Sequence, residues 1–273
     1  MWEALQFEFL RNALAAGILA SVLCGVIGTL VVVNRVAFLA GGVAHAAYGG
    51  IGMAFFFGWP VRFGTLGFAL AAALVMAAVT RRDRERSDTV VGVLWAVGMA
   101  IGIVFADLTP GYNVDLMSYL FGSILAVPAG DLRFMAGVCV VVVVAVLSAY
   151  NAFLATSFDP EFARLRGLPA DGFHFVLLAM IALSVVVTIQ VVGLILVIAM
   201  LTIPPFIAER FSGSLKIMMA ISAGLGTAFA SLGLWMAYRW NLTSGAAIIL
   251  VNGAAFFAVL GWERIRRVRS LPN

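Results

Sequence analysis

The sequence has one lysine, Lys216, and with that scarcity goes the usual means of holding a nucleotide. No Gly-x-x-x-x-Gly-Lys-Ser/Thr loop occurs, so this chain does not cradle and hydrolyse ATP in the P-loop manner. Histidine is confined to His45 and His174, and no nucleophile, base and acid assemble as a catalytic set. The chain therefore reads as something other than an enzyme. Cys24 and Cys139 stand in apolar stretches with no second thiol close in sequence. They read as small buried hydrophobes rather than as a disulfide or a metal pair. The first residues carry Glu3 and Glu8 where a secretory leader has a basic region. Soluble domains and low-complexity linkers are also absent, so residues 1–273 read as one domain.

Charge is scarce as a whole. Only 11% of residues are charged and 63% are hydrophobic, where an ordinary soluble domain carries about a quarter charged residues. Mean hydropathy is +1.09. Apolar stretches of about 20 residues, each able to cross a hydrocarbon core of about 30 Å, recur along the whole length. The short alternating segments of a membrane barrel are missing. The fold class is all-α, a polytopic membrane helix bundle. Candidate spans are 11–33, 36–58, 62–80, 89–106, 131–154, 171–190, 192–208, 215–239 and 243–262. This makes about nine spans, or eight if one pair is a single broken helix. The apolar stretch 114–127, bounded by Asp115 and Pro128, is too short to span and reads as a re-entrant or surface helix.

A pI near 9.5 invites a nucleic-acid reading, but the basic residues sit in loops and at helix ends. The positive-inside bias explains them better. If the loop Arg81–Arg86 is cytoplasmic, the start of the first span lies outside, and 13 of the 17 basic residues fall inside. Arg11, Arg62, Arg133 and Arg239 remain outside. Making 114–127 a full crossing would put the basic tail outside.

Within the spans, Gly41-Gly42-Val43-Ala44-His45-Ala46-Ala47-Tyr48-Gly49-Gly50-Ile51-Gly52 is almost free of large side chains. Such a helix packs closely against neighbours or lines a path at the centre of a bundle. His45 lies about ten residues into its span, roughly 15 Å from the inner surface. An ionisable residue there is a functional candidate, and imidazole is a common transition-metal ligand. The blander reading is a histidine bonded between helices, since no carboxylate or thiol stands at i+3 or i+4. His174, beside Asp171 at an inner helix end, reads as structural. Asp107 and Asp115 flank the loop 108–113 and are either solvated carboxylates or an outer entrance that attracts cations. Asn252 reads as interhelical glue. Gln190, Gly193 and Pro204-Pro205 predict breaks in the helices around them.

Residues 159–170, Asp-Pro-Glu-Phe-Ala-Arg-Leu-Arg-Gly-Leu-Pro-Ala, form a charged, helix-capable insert between two apolar stretches. Asp159 suits an N-cap, Pro160 the first helical position and Gly167 a terminator. A polar helix isolated at the membrane surface reads as a docking surface for a partner, with Glu161 and Arg164 among its charged residues.

Several blocks then converge. Val114-Asp115-Leu116-Met117-Ser118-Tyr119-Leu120-Phe121-Gly122-Ser123-Ile124-Leu125, the block from Asp159 to Pro169, Thr188-Ile189-Gln190-Val191-Val192-Gly193 and Ile203-Pro204-Pro205 occur in one order. Over nearly its whole length the chain resembles the membrane permease subunits of ABC importers for zinc, manganese and iron. The resemblance implies a homodimer and two cytoplasmic ATPase subunits, which bind ATP and magnesium and push on Asp159, Glu161, Arg164 and Gly167. It also implies an extracytoplasmic metal-binding protein, a divalent metal ion as cargo, no cofactor held by this chain, and the inner membrane of a prokaryote. The fold it implies is that of the larger cobalamin-type importers.

One position departs from the family pattern. Family members commonly carry Asp four residues before the histidine, in Phe-Leu-Gly-Asp-x-x-Ser-His-Ala; here the stretch is Phe38-Leu39-Ala40-Gly41-Gly42-Val43-Ala44-His45-Ala46. His45 then acts alone, with its dimer mate or with water, or the cargo is a different metal or a chelate. The competing readings are an importer of the same build for a chelate or organic nutrient, and a self-contained secondary carrier. The carrier should show ionisable residues at corresponding positions of inverted repeats, and no such pair is found.

Overall fold

The computed structural model describes residues 6–82, 87–110, 122, 124 and 127–269. Its helices are α1 (Glu8–Val33), α2 (Ala37–Phe57), α3 (Val61–Arg82), α4 (Ser87–Asp107), α5 (Ala129–Ser148), α6 (Tyr150–Phe158), α7 (Pro160–Leu165), α8 (Ala170–Val192), α9 (Leu194–Glu209), α10 (Leu215–Trp240) and α11 (Ser244–Arg269). Eight of these are long and apolar enough to cross a membrane, while α9 is shorter. Several buried hydroxyls inside the spans are satisfied within their own helix, although Ser184 and Ser222 keep hydroxyls without a partner among the described residues. Ser21, Thr29 and Thr188 each donate to the carbonyl four residues back, at 2.6, 2.7 and 2.5 Å, as backbone and side chain must where water is absent.

Contacts between helix ends give the order of crossings. At one end, the Asn34 amide donates to Ser157 Oγ at 2.9 Å, Thr80 Oγ1 meets His174 Nε2 at 3.1 Å, and Arg210 pairs with Glu263. At the other end, Arg62 pairs with Asp131 at 3.0 Å, Asn12 donates to the Val127 carbonyl at 3.3 Å, and the rings of Phe57 and Phe105 meet. The chain therefore leaves α4 and enters α5 at the same end. Most of 114–127 lies outside the described residues, but Ile124 is buried and lies beside Gly17 of α1.

α8 and α9 are a helical hairpin that starts and finishes at the Asn34 end. Gly193 makes the reversal with φ +85°, a conformation that costs any residue with a Cβ. At 16 residues, α9 is about 24 Å long, so the turn sits at depth. Irregular backbone there must be covered by protein: Val192 and Leu194 are each 1% exposed, and Gly122 packs directly on the turn. The break predicted at Gly193 is present. The one predicted at Pro204-Pro205 is not, because α9 runs through both prolines without interruption. The Leu201 carbonyl, whose i+4 partner is Pro205, lies where a side chain at Gly28 would stand, 2.5 Å from that position. The missing side chain in α1 gives the proline turn its room. The predicted span 131–154 divides instead at Ala149, between α5 and α6.

α2 lies at the centre, with 14 of its 21 residues buried. It runs parallel to α4 and antiparallel to α3. A Cβ on Gly98 would stand 2.7 Å from Ala46 Cα, and one on Gly102 would stand 2.5 Å from the Tyr48 carbonyl. One on Gly52 would fall on the Gly102 backbone, and one on Gly50 on Gly64 of α3. In lipid no hydrophobic drive joins helices, so this backbone-to-backbone dispersion contact is what binds them.

Candidate functional site

His45 projects from α2 about 12 Å along that helix from its start at Ala37, and its side chain is neither fully buried nor exposed. Its Nδ1 lies 2.8 Å from the Gly41 carbonyl oxygen. A carbonyl only accepts, so Nδ1 carries the proton and donates, and in the neutral imidazole the Nε2 lone pair is left available. The imidazole lies flat on the indole of Trp95 from α4, with ring centroids 3.6 Å apart and planes at 23°. Phe38 packs at 6.2 Å from the same indole. A Cβ built at Gly41 meets nothing within 4 Å, nor does one at Gly92, one turn before Trp95. Open space therefore adjoins the histidine on both helices. No group of three or more His, Cys, Asp or Glu positioned to hold a metal occurs among the described residues.

Trp95 was not legible as a partner of His45. The available signal was its position in the middle of a span, when membrane tryptophans concentrate at the two interfaces.

At the basic end, α7 forms as its sequence predicts, shorter than 159–168. Asp159 Oδ1 accepts from the Phe162 N–H at 2.9 Å and Pro160 opens the first turn. Gly167, at φ +78°, ends the helix, and the Leu168 N–H reaches back to the Ala163 carbonyl at 2.9 Å. This is a Schellman closure that favours glycine. Arg164 pairs with Asp171 of α8 at 2.9 Å. Ala163 is wholly buried and anchors the helix, while Phe158, Phe162 and Leu165 are 66%, 47% and 88% exposed. Glu161 is exposed as well. A cavity of about 480 Å³ opens beneath, lined by Thr80, Glu161, Arg164, Asp171 and His174 among others.

Asp107 is exposed at the end of α4; Asp115 lies outside the described residues. Asn252, read as interhelical glue, instead donates within its own helix to the Ile248 carbonyl at 2.8 Å. Cys24 and Cys139 are both free and buried.

Residues 6–262 match the ABC 3 transport family. An uncharacterised membrane protein of Synechocystis is 49% identical over 264 residues, covering 97% of this chain and 94% of that protein. The manganese transport system membrane protein MntC of Listeria monocytogenes is 32% identical, covering 93% of this chain and 90% of its own length. The structure of PsaBC from Streptococcus pneumoniae in complex with Fab has a TM-score of 0.85 at 31% identity, covering 94% of this chain and 92% of that one. By fold and by sequence along almost its whole length, the chain belongs to the ABC 3 transport family of metal ABC-importer permeases.

Proposed function

We propose that this chain is the membrane-spanning subunit of an ATP-driven importer of divalent transition-metal ions, working as a homodimer in the inner membrane of a prokaryote. Separate ATPase subunits dock on α7, and an extracytoplasmic metal-binding protein delivers cargo at the end carrying Asp107. The basic end is cytoplasmic, since it holds Arg35, Arg164, Arg166, Arg210, Lys216 and the arginines of the last helix. ATP and magnesium stay on the partner, and the dimer axis opens alternately to the two sides.

The observation that carries this reading is His45, the one histidine on the glycine-rich central helix, whose Nε2 lone pair is uncommitted. Imidazole is a borderline ligand suited to zinc and iron, and carboxylate to manganese. A single nitrogen donor binds weakly, as a transporter needs if cargo is to leave. The open space at Gly41 favours a second reading on the same architecture, in which the ion arrives with water or a small chelator still attached.

The test is metal uptake by the complete importer in vesicles. ATP-dependent uptake should vanish in His45→Ala while the ATPase still co-purifies, and His45→Gln should be impaired too. Full transport by His45→Gln would remove His45 from the path. Uptake that persists without ATP would favour a secondary carrier, and uptake of a chelate but not the free ion would favour the second reading.

A further inference from the structure

Trp95 has no role in the reading above, yet its indole covers one face of the candidate ligand. The imidazole of His45 is held on two sides: Nδ1–H to the Gly41 carbonyl at 2.8 Å and its face to Trp95 at 3.6 Å. Rotation about the last side-chain bond would break the first contact and drive the ring edge into the second. Nε2 makes no hydrogen bond among the described residues. Trp95 is itself braced by Phe38.

The two helices carrying the pair meet backbone to backbone. A side chain added at Gly42 would collide with Val91, one at Gly98 would stand 2.7 Å from Ala46 Cα, and one at Gly102 would stand 2.5 Å from the Tyr48 carbonyl. These contacts bracket His45 and Trp95, so α2 and α4 pack closely on both sides of the pair. No carboxylate or thiol stands at i±3 or i±4 of His45, where the sequence has Gly41, Gly42, Tyr48 and Gly49.

We propose that Trp95 is a positioning residue for the translocated ion: it locks the His45 imidazole with Nε2 facing the path and lays a π-face against the ring that receives the ion's charge. The proposal rests on the reading of His45 as the residue the ion meets. An ion on Nε2, about 2 Å from the nitrogen, polarises the imidazole toward imidazolium character. The negative face of the indole stabilises such a cation. Trp95 thereby supplies part of the charge stabilisation that a neighbouring carboxylate would otherwise provide.

The test uses the complete importer in vesicles with zinc as the probe. Trp95→Leu should raise KM for zinc uptake about tenfold, the size of a partly desolvated cation–π contact, with kcat and ATPase association held within about twofold. Trp95→Phe, which keeps a ring, should recover most of the loss. A merely structural tryptophan would instead lower the amount of assembled importer and kcat with KM unchanged, and Phe would rescue no better than Leu; that result overturns the proposal. Should Trp95→Leu fail to assemble, zinc titration of tryptophan emission decides. The change seen in the wild type should be lost in both Trp95→Phe and His45→Ala, and its survival in Trp95→Phe overturns the proposal. If His45→Ala transports normally, the reading of His45 falls. If it is inactive while Trp95→Leu keeps the wild-type KM, only the role of Trp95 falls.

Discussion

At Gly41 the chain carries no side chain one helical turn before its candidate ligand, and a Cβ there would touch nothing. An aspartate at this position would share a face with His45 and add a hard oxygen donor beside the imidazole. Hard donors favour manganese over zinc relative to nitrogen alone. Gly41→Asp should therefore fold, and in competition uptake it should raise the manganese-to-zinc ratio by roughly tenfold, about 1.4 kcal/mol. An unchanged ratio would separate this position from metal choice. The histidine could be picked out from one line of sequence, because an ionisable group in a glycine-rich span stands out. Its tautomer and its tryptophan neighbour could not, since both depend on how two helices 50 residues apart in sequence are rotated against each other.

Two elements invite mutation. In α7 the Arg164–Asp171 pair is half-exposed, with side chains 56% and 41% accessible, so it stabilises by about 0–1 kcal/mol and serves mainly to orient the helix. Leu165, 88% exposed, is the apolar point most available to a partner. Leu165→Asp should uncouple ATP hydrolysis from uptake while the membrane domain stays folded. The same is expected of Glu161→Arg, which leaves the Arg164–Asp171 pair intact. Normal coupling in both variants, measured as ATP hydrolysed per ion in purified complex, would refute docking on α7. The α2–α4 contact gives the second test. Gly52→Ala puts a methyl group on the Gly102 backbone and Gly41→Ala puts one in open space. The first should lower the yield of folded protein several-fold and its melting temperature by several degrees; the second should leave both near wild type. Equal effects would mean that the glycine contacts do not hold these helices.

For the whole molecule, the end contacts fix which crossings share a side, and the positive-inside bias of the arginines predicts which side is cytoplasmic. A cysteine placed at Leu108, 58% exposed, should react with an impermeant thiol reagent from outside, and one at Asp88 should be spared. Cys24 and Cys139 are buried and should add little background. The reverse pattern would invert the orientation.

Composition alone determined that the chain is a membrane helix bundle, because 20-residue apolar runs with so few charges have no other stable solvent. Cap chemistry likewise determined α7: Asp159, Pro160 and Gly167 act through bonds a few residues long. Tertiary structure decided what depends on distant partners. The proline pair in α9 stays helical because Gly28 of α1 makes room. The same helix falls short of a full span because Gly193 turns at depth under cover of Gly122. His45 presents a lone pair at Nε2 because a carbonyl in its own helix accepts the hydrogen bond from Nδ1–H, and an indole from another helix holds the ring. Local bonding is written in adjacent residues, whereas packing between helices depends on their mutual rotation and register, which no single stretch of sequence contains.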